Sequence, residues 1–147
     1  REINPYWVEE PTDPDDVLAH QTLARAFHPI RIALGEHVSN KVLFKNFLQA
    51  NAMEINQVDA LRVGGISEFI LISLMSRKCG VPVIPHVGDM GQIHQHMVLF
   101  NHISMSHPKL FLECIPHLCK YFKDPATIED GVYLVPQTPG SSSDFNN

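Results

Sequence analysis

Ile30-Arg31-Ile32-Ala33-Leu34-Gly35-Glu36 is a short, mostly apolar run that ends in a glycine and an acid. It lacks strict polar alternation, the signature of a strand covered on both faces. The same design recurs along the chain. Tyr6-Trp7-Val8 runs into Glu9, Ile55 to Val58 into Asp59, Val81 to Ile84 into Pro85-His86, and Leu110 to Leu112 into Glu113. The unit is about 25 residues long, and a helical pattern fills the intervals. Five such runs with five polar endings predict parallel strands joined by crossover helices.

The intervals carry helix signals of their own. Thr12 or Asp13 can cap a first helix, with Pro14 and the following acids in its first turn and Val17, Leu23, Ala24 and Phe27 as its apolar face. Ser39 or Asn40 starts a second, with Leu43, Phe44, Phe47 and Leu48 inward. A third starts near Ser67 with Phe69, Ile70, Ser73 and Leu74 on one side, and Gly80 followed by Pro82 stops it. Residues 93–104 form a fourth, with Met97, Phe100 and Ile103 in phase. A short helix is expected over 114–123, an extended crossing over 127–136, and a polar, Ser-rich end over 139–147.

An α/β chain of this period admits two architectures. A doubly wound sheet would show a Gly-rich phosphate turn, and the single pair Gly64-Gly65 lacks that frame. A TIM-type barrel draws polar side chains from the C-terminal ends of many strands in turn, which is the pattern here. Such a barrel needs about 250 residues, so 147 residues with five strands correspond to the C-terminal half of one. The opening almost directly on a strand reads Arg1 as an internal position of a longer protein. Residues 1–123 are then the barrel part and 124–147 an extended C-terminal tail.

Composition sets the outer bounds. The chain is 44% apolar and 18% charged, an ordinary globular balance for one domain. A net charge of -5 without a basic stripe argues against nucleic acid and anionic membrane surfaces as partners. A small acidic substrate would need a local positive charge, most simply a metal. Cys79, Cys114 and Cys119 are an odd count without CxxC spacing, against a disulfide framework or structural zinc site and in favour of a reducing, intracellular compartment. No apolar run approaches the roughly 20 residues of a membrane span.

The strand-ending residues are the candidates for chemistry. Glu9 and Glu36 end successive strands, so their carboxylates would converge on one mouth, and converging carboxylates call for a hard cation such as Mg²⁺ between them. Taken singly, each glutamate would more often cap a helix or meet a loop amide. Asp59 and His86 end the next two strands, which sets a carboxylate beside an imidazole, the arrangement of a general acid or base. Glu113 would face the same mouth, where it is either a donor to a developing oxyanion or a solvated loop acid. His94 and His96 are set aside as a metal motif, because residues two apart on a helix do not share a face. His20, His28, His102, His107 and His117 read as surface or core residues.

Four pieces taken together resemble a known family: Trp7-Val8-Glu9-Glu10-Pro11, Leu34-Gly35-Glu36, Gln57-Val58-Asp59 with Arg62 and Gly64, and Pro85-His86-Val87-Gly88. In order and spacing they are similar to the fourth to seventh strand ends of the mandelate-racemase-like branch of the enolase superfamily, a (β/α)7β barrel. Glu9 to Asp16, with Phe44-Lys45 and His117-Leu118, looks most like the acid-sugar dehydratases that act on L-fuconate. The resemblance implies that Glu9 and Glu36 are two of three Mg²⁺ ligands, Asp59 and His86 a catalytic dyad, and Glu113 the acid that stabilises the enolate. The implied reaction removes the proton alpha to a carboxylate and expels the beta-hydroxyl, giving a 2-keto-3-deoxy acid. His86 would protonate the leaving hydroxyl.

The family's third metal ligand, its strand-two lysine base and its N-terminal capping domain have no counterpart in this chain. The chain alone is therefore expected to be inactive or nearly so, and the full-length parent a homo-oligomer in the cytoplasm or mitochondrion. A short loop at Gly88-Asp89-Met90-Gly91 would alter substrate contacts after His86. Two alternatives remain: a racemase or cycloisomerase of the same superfamily, and a non-catalytic half barrel that acts as an interaction module through its open strand edges.

Overall fold

The computed structural model describes residues 3–87 and 91–147. Strands β1 (Trp7–Glu9), β2 (Arg31–Leu34) and β3 (Ile55–Asn56) form a parallel sheet in chain order, with Glu9 beside Ala33 and Ala33 beside Ile55. A parallel bridge between Asn56 and Val83 extends the sheet by one position. There the Asn56 amide donates to the Pro82 carbonyl and the Ile84 amide to the Asn56 carbonyl, both at 2.9 Å. Neighbours that follow chain order, each joined by a crossover helix, make a curved segment of barrel wall.

The helices are α1 (Val17–Phe27), α2 (Lys41–Gln49), α3 (Ile66–Lys78) and α4 (Ile93–Met105). They pack on one face of the sheet. Because strand side chains alternate, Val8, Ile32, Leu34 and Val83 point to that face and join Phe44, Phe47, Phe69 and Ile72 in the main core. Trp7, Ala33, Ile55 and Ile84 point the other way and form a smaller layer of their own. This second layer is the barrel interior. Two residues beyond its members, on the same face, stand Glu9, Gly35, Gln57 and His86.

The caps follow the sequence with one shift. Asn40 accepts from the Val42 and Leu43 amides at the start of α2. At α1 the capping side chain is Asp16, which accepts from the Ala19 amide, rather than Thr12 or Asp13. The buried faces also turn relative to expectation. In α1 His20 and Ala24 are buried while Phe27 is exposed, and in α3 Ile72 and Ser76 face inward while Leu74 lies outside. In α4 Ile103 is solvent-facing, and the inward stripe carries His94, Gln95 and Asn101 beside Met97 and Val98.

Two expected elements differ. Leu110 to Leu112 do not form a strand; Leu110 and Phe111 are exposed, and the segment lies near edge strand β1 without pairing to it. The segment expected as an extended crossing is a hairpin of β4 (Ile128–Glu129) and β5 (Val132–Tyr133). Asp130 and Gly131 both take positive φ, 50° and 78°, the demand of a tight turn that Asp-Gly meets. Before the hairpin, Pro116–Tyr121 form a 3-10 helix.

Candidate active site

The polar ends of the strands meet on one side of the sheet, at the C-terminal ends of its strands. Asp59 is the centre. His86 Nδ1 donates to its Oδ2 at 2.8 Å, and the Leu61 amide donates to its Oδ1 at 2.7 Å. His94 Nε2 lies 2.9 Å from the same Oδ1. Arg62 Nε stands 3.6 Å from Oδ2. Burial alone would raise the pKa of Asp59, but the hydrogen bonds from His86, His94 and the Leu61 amide outweigh it and hold the carboxyl well below the usual carboxylate range.

His86 is buried and looks onto three carboxylates. Beyond Asp59, its Nε2 lies 3.0 Å from Glu36 Oε2 and 3.5 Å from Glu113 Oε2. Burial would depress its pKa, yet the Asp59 hydrogen bond and the charges of Glu36 and Glu113 raise it above the ordinary histidine value. The ring is thus biased toward the imidazolium, a form with a proton to give.

Glu36 gathers further donors. Arg62 Nη1 donates to its Oε1 at 3.1 Å, and His37 Nε2 lies 3.4 Å away. On its other side His37 Nδ1 meets Glu10 Oε2. The ligand atoms of Glu10, Glu36 and His37 all lie within 4.8 Å of one another. Glu10 reaches this place because its backbone takes φ 40°, a left-handed conformation, immediately before Pro11. Gly35 lets Glu36 turn in. At φ 149° a Cβ on Gly35 would stand 2.7 Å from the Gln57 backbone.

The five sequence candidates are therefore placed as follows. Glu36, Asp59, His86 and Glu113 converge on one another, with Glu113 also accepting from the Val87 amide at 3.2 Å. Glu9 stands on the same face but outside the three-residue cluster, where it accepts from the Trp7 indole at 3.1 Å and lines a cavity with Gln57 and Glu113. Three participants escaped the sequence reading: Glu10, His37 and His94. His94 was set aside with His96, yet it alone points at Asp59 from the first turn of α4. Its Nε2 also lies 3.1 Å from the Ala60 amide. The amide needs a lone pair and the carboxylate a proton, so the ring cannot serve both together. The loop residues Gly88, Asp89 and Met90 lie outside the described residues.

The family described as "Enolase C-terminal domain-like" matches residues 1–147. The chain belongs to the enolase superfamily. Mitochondrial enolase superfamily member 1 of Homo sapiens is 40% identical over 149 residues, which are 97% of this chain and 34% of that protein. Its crystal structure superposes with a TM-score of 0.90 over the same shares. L-galactonate dehydratase of Hypocrea jecorina is 38% identical over 96% of this chain and 32% of its own length. L-talarate/galactarate dehydratase of Salmonella typhimurium LT2, in a structure liganded with Mg and L-lyxarohydroxamate, gives a TM-score of 0.77 at 30% identity, over 95% of this chain and 33% of that one. The chain spans about a third of the length of these relatives. The superfamily membership accounts for the parallel wall of strands with helices on one face, which is part of the enolase barrel domain.

The donor set at the strand ends suits a hard divalent cation. The Glu36 carboxylate draws His86, His37 and Arg62 to itself, the company a carboxylate takes when its charge needs compensation. Carboxylate oxygens are the ligands Mg²⁺ prefers, and Glu10 lies in the same cluster of ligand atoms as Glu36, while Glu9 faces the Trp7 indole.

Proposed function

We propose that these residues are the C-terminal catalytic segment of a Mg²⁺-dependent acid-sugar dehydratase acting on L-fuconate or a close analogue. The observation that carries the reading is the buried His86–Asp59 pair with Glu36 facing the free nitrogen of the ring. The substrate preference has chemical support: L-fuconate is L-galactonate without its 6-hydroxyl, and an L-galactonate dehydratase is among the relatives.

In this reading Glu36 and Glu9 hold the cation. When bound, it supplies Lewis acidity to the substrate carboxylate and neutralises charge that grows as the alpha proton departs. His86 delivers the proton of Nε2 to the beta-hydroxyl as that group leaves as water. Asp59 holds the ring by Nδ1 and compensates the imidazolium before transfer. Glu113, 3.5 Å from His86 Nε2, would in its protonated form donate a hydrogen bond to the oxygen on which the enolate's charge develops. In this reading the alpha proton is taken by the family's lysine, which has no counterpart in this chain, so the chain by itself should turn over little or not at all.

The test is a chimera in which these residues replace the corresponding third of the human relative. With Mg²⁺ and L-fuconate it should form a 2-keto-3-deoxy acid, and His86→Asn should remove that product. Epimerisation at the alpha carbon without loss of water would instead establish the racemase alternative. The exposed Leu110 and Phe111 beside edge strand β1 favour a second reading, association of half barrels; concentration-dependent dimers that bind no metal would support it.

A further inference from the structure

The opposite end of the sheet, where the strands begin, holds a cavity of about 980 Å³. A strand of four residues separates the two ends by about 13 Å, so this space is distinct from the His86 site. Its charged lining is one-sided. Arg25, Arg31, Arg77 and Lys109 surround it, with His107 at its wall and Glu54 its single acid. That is four of the eleven lysines and arginines of a chain whose net charge is -5.

None of the four cations forms an ion pair among the described residues. Arg31 donates to the Tyr6 hydroxyl at 2.8 Å, and Lys109 Nζ lies 5.6 Å from the centre of the Tyr6 ring. Glu54 spends an oxygen on the Ile32 amide. Arg25 and Arg77 belong to the last turns of α1 and α3, and each helix end contributes roughly half a negative charge. The ends of α2 and α4 reach the same lining at Asn51 and Ser106, so that four helix ends and Glu54 offset about three of the four positive charges. The balance is a cavity that stays positive, built from several chain segments and within the size range of small-molecule sites.

We infer that the N-terminal face of the sheet is a second binding site, for a small, multiply charged, phosphate-bearing anion. Arginine forks match the oxygens of phosphate in pairs. A diphosphate offers oxygens to several of these cations at once, which a single carboxylate cannot.

The probe is inorganic pyrophosphate, titrated by calorimetry into the whole 147-residue chain at physiological ionic strength. Arg25→Gln with Arg77→Gln should weaken binding by about tenfold or more, as expected for two lost charge-assisted contacts. Both residues are exposed, so the fold should survive, with circular dichroism as the check. Lys45→Gln with Lys123→Gln removes the same charge elsewhere and should leave affinity within about twofold. A parent chain that binds no pyrophosphate, or equal weakening by both pairs, overturns the proposal. Tighter binding of a nucleoside diphosphate would assign the phosphates to a larger molecule; equal or weaker binding would assign them to the free anion.

Discussion

Asp59 accepts from a histidine whose other nitrogen faces a second acid, and this coupling makes the site pH-sensitive in a defined direction. The depressed carboxyl contributes stability that is present above the unfolded value of about 3.9 and is lost as pH falls below it. The raised His86 contributes stability that is full below about 6.5 and fades as pH rises through its folded value. In the metal-free chain the pair therefore stabilises most between about pH 4 and 6.5. Urea unfolding across pH should show this plateau, and Asp59→Asn should flatten its acid limb; parallel curves for parent and variant would contradict the assignment. The same variant should lower the His86 pKa, read from its ring resonances. Asp59, His86 and Glu36 were readable in the sequence because each ends an apolar run. Glu10 and His37 were not, because strand alternation turns Glu10 outward and a left-handed φ of 40° brings it back. His94 could have been found from its place in the first helical turn after the His86 strand end, which aims one side chain across the mouth.

Among the elements, Gly35 and α3 give the sharpest tests. A Cβ on Gly35 would stand 2.9 Å from the Val58 amide nitrogen as well as against Gln57, backbone that cannot give way cheaply. Gly35→Ala should cost about 2–4 kcal/mol by urea unfolding, and a change below about 0.5 kcal/mol would show that the turn relaxes. In α3, Ile72 is fully buried and Leu74 is half exposed. Ile72→Ala should cost about 2–5 kcal/mol and Leu74→Ala about 0.5 kcal/mol or less. The opposite ranking would restore the helical phase expected from the sequence. That phase was misjudged because α3 buries Ser73 and Ser76 while Leu71 and Leu74 stay half exposed, so periodicity alone did not single out a face. The hairpin at Asp130-Gly131 was legible in its turn residues but was read as an extended crossing, since flanking strands of two residues carry almost no alternation. The apolar run 110–112 had the composition of a strand; pairing, which composition does not supply, is what it lacks among the described residues.

At the scale of the molecule, the order of neighbours along the sheet, the outward helices and the inward layer of Trp7, Ala33, Ile55 and Ile84 belong to a barrel wall that curves without closing over the described residues. The period of the sequence made that architecture legible. What it could not convey is how far a partial wall can hold a metal, because affinity depends on how many carboxylates reach one point. Glu36 stands ready there, Glu10 beside it, and Glu9 turned to Trp7. The most direct measurement is Mg²⁺ binding by calorimetry to this chain, to the chimera with the human relative, and to both carrying Glu36→Gln. The account predicts weak or undetectable binding by the chain alone, clear binding by the chimera, and its loss in the chimera's Glu36→Gln variant. Tight binding by the chain alone, or binding by the chimera that is indifferent to Glu36→Gln, would contradict it.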